Sequence, residues 1–385
     1  MTDRKAITGA RIFDGQTWHD DAALVVAGGR LESIIPVGSL VGVAEKVVQV
    51  DGILLPGFID LQVNGGGGVM LNDEPTVSGL TRICAAHARF GTTSLLPTLI
   101  TDTPAVTRAV VEAGREAKRQ GVPGFLGLHL EGPHLSIARK GAHDPSLIRP
   151  MEEADLDLLV SSVRDIEILL TTVAPENVSE RQVERLAEAG ITVSLGHTQA
   201  SYETAGRYVE AGARMVTHLF NAMSPLGHRE PGLVGATLDS ASLHCGLIAD
   251  GIHVASAAMA IALRAKKGPG RIVIVTDAMS PIGTDVTSFM LNGREILRRD
   301  GRLTLADGTL AGADIDMLSS ILFVHRQLGL PLEEAVRMAT VYPAEVFGLA
   351  RKGSLFPGAD ADFVVLNSDL SMNSTWIGGH CVHRQ

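Results

Sequence analysis

The sequence has few aromatic residues and no excess of positive charge, and both shortages exclude classes of function. Aromatic residues make up 4% of the 385 residues, too few for a surface that stacks on nucleobases. The formal net charge is −10, whereas proteins that bind nucleic acid carry a basic footprint. We therefore expect no nucleic-acid partner. A small anionic substrate remains compatible with this charge, because a few local cations can hold one phosphate.

Cysteines and long apolar runs are also scarce. Cys84, Cys245 and Cys381 lie far apart, are odd in number and show no CxxC spacing, which predicts reduced, buried thiols in a cytoplasmic protein. The N-terminal segment MTDRKAITGARIF lacks the apolar stretch of a signal peptide, and no uninterrupted apolar run reaches the length of a membrane span. We therefore expect a soluble, cytoplasmic protein without a membrane partner.

Apolar residues and glycine are abundant, at 45% of the chain and 42 residues respectively, which favours a large core and many tight turns. Short apolar runs recur along the middle of the chain, at 53–61, 92–99, 125–131, 166–173, 191–197, 214–219, 244–250 and 271–277. Segments with helical periodicity lie between most of them, and two of these segments, 103–121 and 180–190, end at a glycine. Near-continuous apolar strands are typical of parallel sheets buried on both faces, so we predict an α/β fold, a (β/α)₈ TIM-like barrel.

The two ends of the chain have a different pattern from the middle. Both alternate apolar and polar residues between glycine-containing breaks, which predicts antiparallel strands and one small β-sandwich built from both termini. We place its two parts at residues 1–54 and 351–385 and the barrel at 55–350. NG and DG turns predict a β-hairpin insertion near 288–311. Two helical stretches, at 314–329 and 332–348, then lead back to the sandwich.

Polar residues end several of the apolar runs. Glu131 ends the third, His197 the fifth, His218 the sixth and Asp277 the eighth. A lone histidine at a strand end is more often structural, and a lone acid there usually caps the next helix. Active sites of barrels form at the carboxyl ends of the strands, so these side chains should converge on one face. Two imidazoles and a carboxylate suit a divalent metal with an open position for water, and a further carboxylate could take protons from that water.

Several longer motifs follow one another in the order known from one enzyme family. They are PGFIDLQVNGGGG (56–68), LHLEGP (128–133), KGAHDP (140–145), TVAPE (172–176), SLGHT (194–198), THLFNAM (217–223), GHREPGLVG (227–235), ADGIHV (249–254) and VTDAM (275–279). Together they resemble the N-acetylglucosamine-6-phosphate deacetylases of the amidohydrolase superfamily over almost the whole chain. The resemblance implies hydrolysis of N-acetyl-D-glucosamine 6-phosphate to glucosamine 6-phosphate and acetate, in amino-sugar catabolism.

The resemblance also implies how many metal ions are bound. Many members of the superfamily carry HxH after the first strand to hold a second metal, whereas this chain has Gln62 and Asn64 in those places. Amides are poor zinc ligands compared with imidazole. We therefore expect one divalent ion held by Glu131, His197 and His218, with Gln62 hydrogen-bonded only to the metal-bound water. Zn²⁺ is the default, and Fe²⁺, Co²⁺ or Mn²⁺ would accept the same ligands.

The family's catalytic roles fall on two further positions. The metal would lower the pKa of its bound water toward neutrality. Asp277 would then act as general base toward this water and as general acid toward the departing amine. His143, in KGAHD, matches the residue that polarises the N-acetyl carbonyl and contacts the substrate.

Substrate binding is expected to depend on a phosphate clamp. Arg229 and His253 match the family's positions for it, and Asn221 with Ala222 matches a sugar–phosphate contact. Arginine suits phosphate because its fork forms bidentate, charge-assisted hydrogen bonds. One half of this clamp comes from a neighbouring subunit in the family, which implies a homodimer. Without the surrounding motif, a salt bridge to Glu230 would explain Arg229 equally well.

Three alternatives remain open. Deacetylation of the galactosamine epimer differs by the contacts of one hydroxyl, and segment 309–317 departs from the family's usual TLAGS pattern beside the expected sugar pocket. Another amidohydrolase, such as a dihydroorotase or dipeptidase, is opposed by the missing HxH and by the lack of a bridging lysine in TVAPE. An inactive scaffold is opposed by the presence of the remaining ligands together with Asp277.

Overall fold

The computed structural model describes residues 4–385, so the first three residues of the predicted N-terminal sandwich segment lie outside the described chain. The chain begins with seven short strands, β1 Lys5–Thr8, β2 Arg11–Phe13, β3 Trp18–His19, β4 Ala22–Ala27, β5 Arg30–Pro36, β6 Lys46–Gln49 and β7 Ile53–Pro56. A single-turn 3₁₀ helix, Val37–Ser39, lies between β5 and β6, and another lies at Ile137–Arg139.

Strands and helices then alternate through the middle of the chain. The elements are β8 Phe58–Val63, β9 Gly65–Gly66, β10 Val69–Met70, α1 Val77–Ala88, β11 Thr92–Ile100, α2 Pro104–Gln120, β12 Leu128–Glu131, α3 Glu153–Ile166, β13 Leu169–Val173, α4 Glu180–Glu188, β14 Thr192–Leu195, α5 Tyr202–Glu210, β15 Met215–Val216, α6 Gly232–Asp239, β16 His244–Ile248, α7 Ser256–Ala265 and β17 Ile272–Val275. As predicted, α2 is followed by a left-handed glycine, Gly121 with φ 65°.

The last third of the chain returns to short strands and helices. Its elements are β18 Ser288–Leu291, β19 Arg294–Arg299, β20 Arg302–Thr304, β21 Leu310–Ala313, α8 Met317–Arg326, α9 Leu332–Arg337, α10 Val341–Val346, β22 Phe363–Leu366, β23 Met372–Ile377 and β24 His380–Arg384. Within residues 4–385, no helix is both long and apolar enough to cross a membrane.

The predicted barrel is confirmed. Strands β8 and β11 to β17 form one eight-stranded sheet in chain order, and every neighbouring pair is parallel. The first and last strands approach each other just beyond β17, where Asp277 N donates to Gln62 O (2.9 Å) and Asn64 N donates to Ala278 O (2.8 Å). These bonds bring the residues that follow the eighth strand against the first one.

The first apolar run, 53–61, is not one strand as predicted. It divides at Gly57: β7 pairs with β2 and β22 in the terminal sheet, whereas β8 pairs with β11 in the barrel. Both halves are buried, so hydrophobicity alone does not show where the chain changes sheets. The predicted boundary at residue 54 falls within β7, and the division of the chain into parts remains a prediction.

The terminal sandwich is confirmed as a product of both chain ends. A four-stranded sheet, β5-β4-β1-β6, packs on a six-stranded sheet, β24-β23-β22-β7-β2-β3. Their shared core includes Ile7, Leu24, Leu54, Phe363 and Trp376. The sheets are not purely antiparallel as predicted, because β1 pairs with β6 and β2 pairs with β7 in parallel.

Two smaller predictions were wrong. Cys381 is exposed rather than buried, because β24 is the edge strand of the six-stranded sheet, while Cys84 and Cys245 are buried. The predicted helix 332–348 is divided into α9 and α10. Pro343 has no backbone N–H, so it cannot continue the helical hydrogen bonds from α9.

The predicted hairpin insertion is an antiparallel sheet of β18, β19, β20 and β21, in that order. It has a core of its own that includes Leu291, Ile296 and Leu303. This core also contains Ile100, the last residue of the second barrel strand, and Met279, which lies four residues beyond the eighth. The insertion is therefore anchored directly above the carboxyl ends of the barrel strands.

Replacing Gly52 with Ala is expected to destabilise the sandwich. Gly52 has φ +91°, and a Cβ there would lie 2.0 Å from the carbonyl oxygen of Leu366 on β22. Gly28 provides a matched control, because it also has positive φ (+55°) but no atom within 4 Å of the added Cβ. Both substitutions should cost about 1–2 kcal/mol for the left-handed backbone. Gly52→Ala should cost about 1–3 kcal/mol more for the overlap. Equal midpoints of chemical unfolding for the two variants would contradict this.

Candidate active site

The four polar residues predicted to converge do meet at the carboxyl face of the barrel. Glu131 is the last residue of β12, whereas His197, His218 and Asp277 each lie two residues beyond their strands. The strands end earlier than predicted because these three residues have left-handed backbones, with φ of 48°, 29° and 53°. Such backbones cost about 1–3 kcal/mol each in non-glycine residues and cluster at functional sites. The chain turns at each of these three residues, and the side chain is directed inward over the barrel.

Three potential ligand atoms lie close together at the centre of the site. Glu131 Oε1 is 3.2 Å from His197 Nε2 and 3.0 Å from His218 Nε2, and the two Nε2 atoms are 3.1 Å apart. All three side chains are buried. Atoms bound to one tetrahedral ion at about 2.0–2.2 Å lie roughly 3.4 Å apart, close to the separations observed here. The trio therefore fits a divalent metal.

The tautomer of His197 supports this fit. Its Nδ1 lies 2.8 Å from the carbonyl oxygen of Arg139, which can only accept a hydrogen bond. Nδ1 therefore carries the hydrogen, and Nε2 directs its lone pair toward Glu131 and His218. An imidazole held in this way by a backbone carbonyl is the usual arrangement of a metal-binding histidine.

His143 has the opposite tautomer. By distance alone, Glu131, His143 and His197 could also hold a metal, because their ligand atoms all lie within 4.8 Å of one another. However, the backbone N–H of Thr101 donates to His143 Nδ1 (3.3 Å), so Nδ1 carries the lone pair and Nε2 the hydrogen. Burial lowers the pKa of His143 to about 3, and the neighbouring charge of His197 adds to this effect. A neutral Nε2–H is a hydrogen-bond donor, so the chemistry favours His218 as the third ligand.

The charges of the central residues depend on one another. Burial alone would raise the pKa of Glu131, but its contacts with the imidazoles of His197 and His218 hold that pKa well below its usual range. Burial opposes protonation of His218, yet the hydrogen bond and charge of Glu131 raise the pKa of His218 above its ordinary value. Glu131 is therefore a carboxylate at neutral pH and supplies a negative charge to the centre.

Asp277 is held by the two amides that occupy the places of the missing HxH. Gln62 Nε2 and Asn64 Nδ2 donate to Asp277 Oδ1 at 3.0 and 2.7 Å, and Gln62 Nε2 is also 3.2 Å from Glu131 Oε2. Both amides use Oδ1, which leaves Oδ2 of this carboxylate for a proton from the cavity. Burial, and after it the charge of Glu131, raises the pKa of Asp277 to about 6. An aspartate with such a pKa can exchange protons near neutral pH.

A cavity of about 430 Å³ opens above these residues. Its walls come from the barrel loops and from the insertion, and include Glu131, His143, His197, His218, Asn221, Ala222, His253 and Asp277, together with Leu291 and 308–312. This volume lies within the range typical of small-molecule sites. No lysine or arginine of residues 4–385 lines the cavity.

The predicted substrate residues are only partly brought together. Asn221, Ala222 and His253 line the cavity, whereas Arg229 is exposed and does not. His253 Nδ1 lies 2.5 Å from Asp250 Oδ2, and both side chains are nearly inaccessible to solvent. Glu230 does not pair with Arg229 but accepts hydrogen bonds from the backbone of Tyr202 and Gly232.

Sequence reasoning missed Thr101 and Asp250, which hold two of the cavity histidines, His143 and His253 respectively. The signal for Thr101 was its place two residues after the second apolar run, much as Glu131 ends the third. The signal for Asp250 was its spacing of three residues before His253 in ADGIHV.

His129 occupies the layer below the site. It lies two residues before Glu131 and therefore points to the same face of the sheet. Its ring nitrogens contact Thr98 Oγ1 (3.2 Å) and Thr172 Oγ1 (2.8 Å). With both nitrogens engaged, His129 supports the barrel interior and is not available as a ligand.

The fold and this site together define a class of protein. The profile of the Amidohydrolase family matches residues 53–382, and the chain belongs to this family, whose members are generally metal-dependent. Within it, the chain groups with the N-acetylglucosamine-6-phosphate deacetylases, as its motifs predicted.

Individual relatives match this chain over most of their length. The chain is 43% identical to an N-acetylgalactosamine-6-phosphate deacetylase of Shewanella sp. (strain ANA-3), over 86% of this chain and 84% of the relative. It is 38% identical to an N-acetylglucosamine-6-phosphate deacetylase of Haemophilus influenzae, over 93% and 94%. The crystal structure of the N-acetylglucosamine-6-phosphate deacetylase from Pasteurella multocida superimposes with a TM-score of 0.94 at 36% identity, covering 99% of this chain and all (100%) of that one.

Proposed function

We propose that the chain hydrolyses the acetamide of N-acetyl-D-glucosamine 6-phosphate, releasing acetate and glucosamine 6-phosphate. One observation carries the proposal: Glu131, His197 and His218 form a ligand cluster beside Asp277, in a cavity of about 430 Å³. Relatives that cover most of the chain and bear this activity in their names support the same reaction.

The residues divide between holding an ion and moving protons. Glu131, His197 and His218 would hold a divalent ion, which would act as a Lewis acid that acidifies water and polarises a carbonyl. Asp277 Oδ2 accepts the proton of the attacking water and then returns a proton to the departing nitrogen, because amine expulsion requires protonation. The Nε2–H of His143 donates to the amide oxygen as negative charge develops on it. Zn²⁺ is the proposed ion, since two imidazoles and one carboxylate suit it.

The phosphate requires a cation, and among residues 4–385 of one subunit no arginine or lysine lines the cavity. Arg229 lies in the exposed loop 225–230 beside Leu226, which is 56% exposed. We propose that this loop packs against a second copy of the chain, so that Arg229 of one subunit and His253 of the other hold the phosphate. The free cysteines support the proposed cytoplasmic location of this homodimer.

Replacing Arg229 with Ala should raise KM for the phosphorylated sugar about 10- to 100-fold, with a smaller change in kcat. The reason is that the phosphate contact is made equally in the ground and transition states. Steady-state kinetics with the phosphorylated and unphosphorylated sugars would check this. Arg181→Ala is a matched control, because Arg181 is an exposed arginine on α4. An equal loss with both sugars would refute the clamp.

The galactosamine epimer is a second candidate substrate. It is favoured by the 43% identity to the Shewanella deacetylase and by segment 309–312, which lines the cavity within the stretch 309–317 that departs from the glucosamine family. The deciding experiment measures acetate release from both epimeric 6-phosphates at matched enzyme concentrations, with elemental analysis of the purified protein. No release from either substrate by metal-loaded protein would overturn the proposed function.

A further inference from the structure

We propose that Thr101 is a positioning residue that fixes the tautomer of His143 and thereby makes His143 a hydrogen-bond donor toward the substrate carbonyl. This inference rests on the proposed deacetylation and adds a residue that acts on the reaction only through another. Thr101 directly follows β11 and is 1% exposed, and His143 is 4% exposed.

Two atoms of Thr101 contact one nitrogen of His143. The backbone N–H of Thr101 donates to Nδ1 (3.3 Å), and Oγ1 lies 2.8 Å from the same nitrogen. A backbone N–H has no lone pair, so it cannot accept a hydrogen bond from Nδ1–H. The hydroxyl has one hydrogen, and its other acceptor, the carbonyl oxygen of Glu131, is more distant at 3.5 Å. Both donors of Thr101 therefore favour a lone pair on Nδ1 and a hydrogen on Nε2.

Neighbouring residues hold the His143 ring in this orientation. The His143 ring packs edge-on against His197, with centroids 4.5 Å apart and planes at 70°. Arg294 of the insertion donates to the carbonyl oxygen of Ala142, which ties the His143 loop to the sheet above it. On the other side, Gly132 leaves room for Thr101, since a Cβ at Gly132 would lie 2.2 Å from Thr101 Oγ1.

The tautomer assigns His143 one role and excludes two. With hydrogen on Nε2, the ring nitrogen that faces the cavity can donate to a developing oxyanion. It offers no lone pair there to bind an ion or to take a proton from water. His197 has the reverse tautomer through its bond to Arg139 O, so two adjacent imidazoles are given opposite functions by their partners on the far side of each ring.

Kinetics of Thr101→Val and Thr101→Ser test the positioning role. Valine has nearly the same shape but lacks the hydroxyl, so kcat should fall about 10- to 100-fold, the usual cost of losing such an orienting partner, with KM little changed. Serine keeps the hydroxyl and should retain most of the activity. Thr92→Val is the matched control: Thr92 is 1% exposed at the start of the same strand, and its hydroxyl has no partner among residues 4–385.

A double-mutant cycle separates positioning from general damage to the site. In the background of His143→Asn, Thr101→Val should cause no further loss, because the residue through which Thr101 acts is gone. The same fold-loss in both backgrounds, or wild-type kcat in Thr101→Val alone, would overturn the inference while leaving the proposed deacetylation in place.

Nitrogen NMR tests the tautomer without relying on activity. In metal-free protein labelled with ¹⁵N-histidine, His143 should show a protonated Nε2 and an unprotonated Nδ1, assigned by the signals lost in His143→Asn. Thr101→Val should shift this pattern toward a mixture of tautomers, and Thr92→Val should not. A protonated Nδ1 in the wild-type protein would disprove the inference even if the enzyme proved to act on another substrate.

Discussion

Replacement of Asp277 by Asn is expected to lower kcat for deacetylation about 10³- to 10⁴-fold, the upper part of the range for a general acid–base residue. Asparagine is nearly isosteric, and its oxygen can keep both hydrogen bonds that Gln62 and Asn64 donate to Oδ1. The atom facing the cavity becomes an NH₂ group, which cannot take a proton from water. The substitution therefore removes the proton transfers and keeps the arrangement of the site.

Metal content distinguishes this explanation from damage to the ligands. Asp277→Asn should bind the same amount of metal per subunit as the wild-type protein, measured by elemental analysis after dialysis, because Asp277 is not in the proposed ligand set. Asp165→Asn, on the exposed part of α3, is a control for the change of charge. Turnover of Asp277→Asn within tenfold of the wild type would remove this residue from the proton transfers.

Substitution of His218 should weaken metal binding, whereas substitution of His143 should leave it unchanged. His218→Gln removes one of three protein ligands, so its metal affinity should fall more than about 100-fold, beyond the usual loss from an orienting partner. His143→Gln should keep the metal, because the Nε2 of His143 carries a hydrogen and is not a ligand. Its kcat should nevertheless fall about 10²- to 10³-fold, as when an oxyanion donor is lost.

Titration of the apo variants with Zn²⁺, with acetate release measured in parallel, gives both quantities. The distances alone permit Glu131, His143 and His197 as a ligand set, so the experiment decides between two geometries. Loss of metal from His143→Gln together with its retention by His218→Gln would refute the proposed ligand set. Loss from His218→Gln alone would agree with the tautomers set by Thr101 and by Arg139 O.

Much of the fold could be predicted because the relevant signals are local. Each barrel strand is an apolar run buried on both faces, and the ends of the eight runs fall within a few residues of the strand ends, except that the first run also includes β7. The ends were overestimated where His197, His218 and Asp277 leave the strand through a left-handed backbone, a conformation that stays uncommon outside glycine even though His and Asp adopt it more often than most residues. The division of 53–61 at Gly57 was missed because both halves are equally apolar.

For the four residues that end the apolar runs, the sequence by itself determined that they meet. Parallel strands in one barrel bring their carboxyl ends to one face, so order along the chain was enough to place Glu131, His197, His218 and Asp277 together. It also determined the family, because the motifs follow one another over nearly the whole chain.

Only the tertiary structure decided what each of these groups can do. The hydrogen on an imidazole is placed by the partner of its other nitrogen, and those partners, Thr101 for His143 and Arg139 O for His197, are 42 and 58 residues away. The same holds for Asp277, whose Oδ1 is bound by amides 215 and 213 residues away. Residue type and spacing do not encode such contacts, because they exist only after the barrel has closed and the insertion has packed above it.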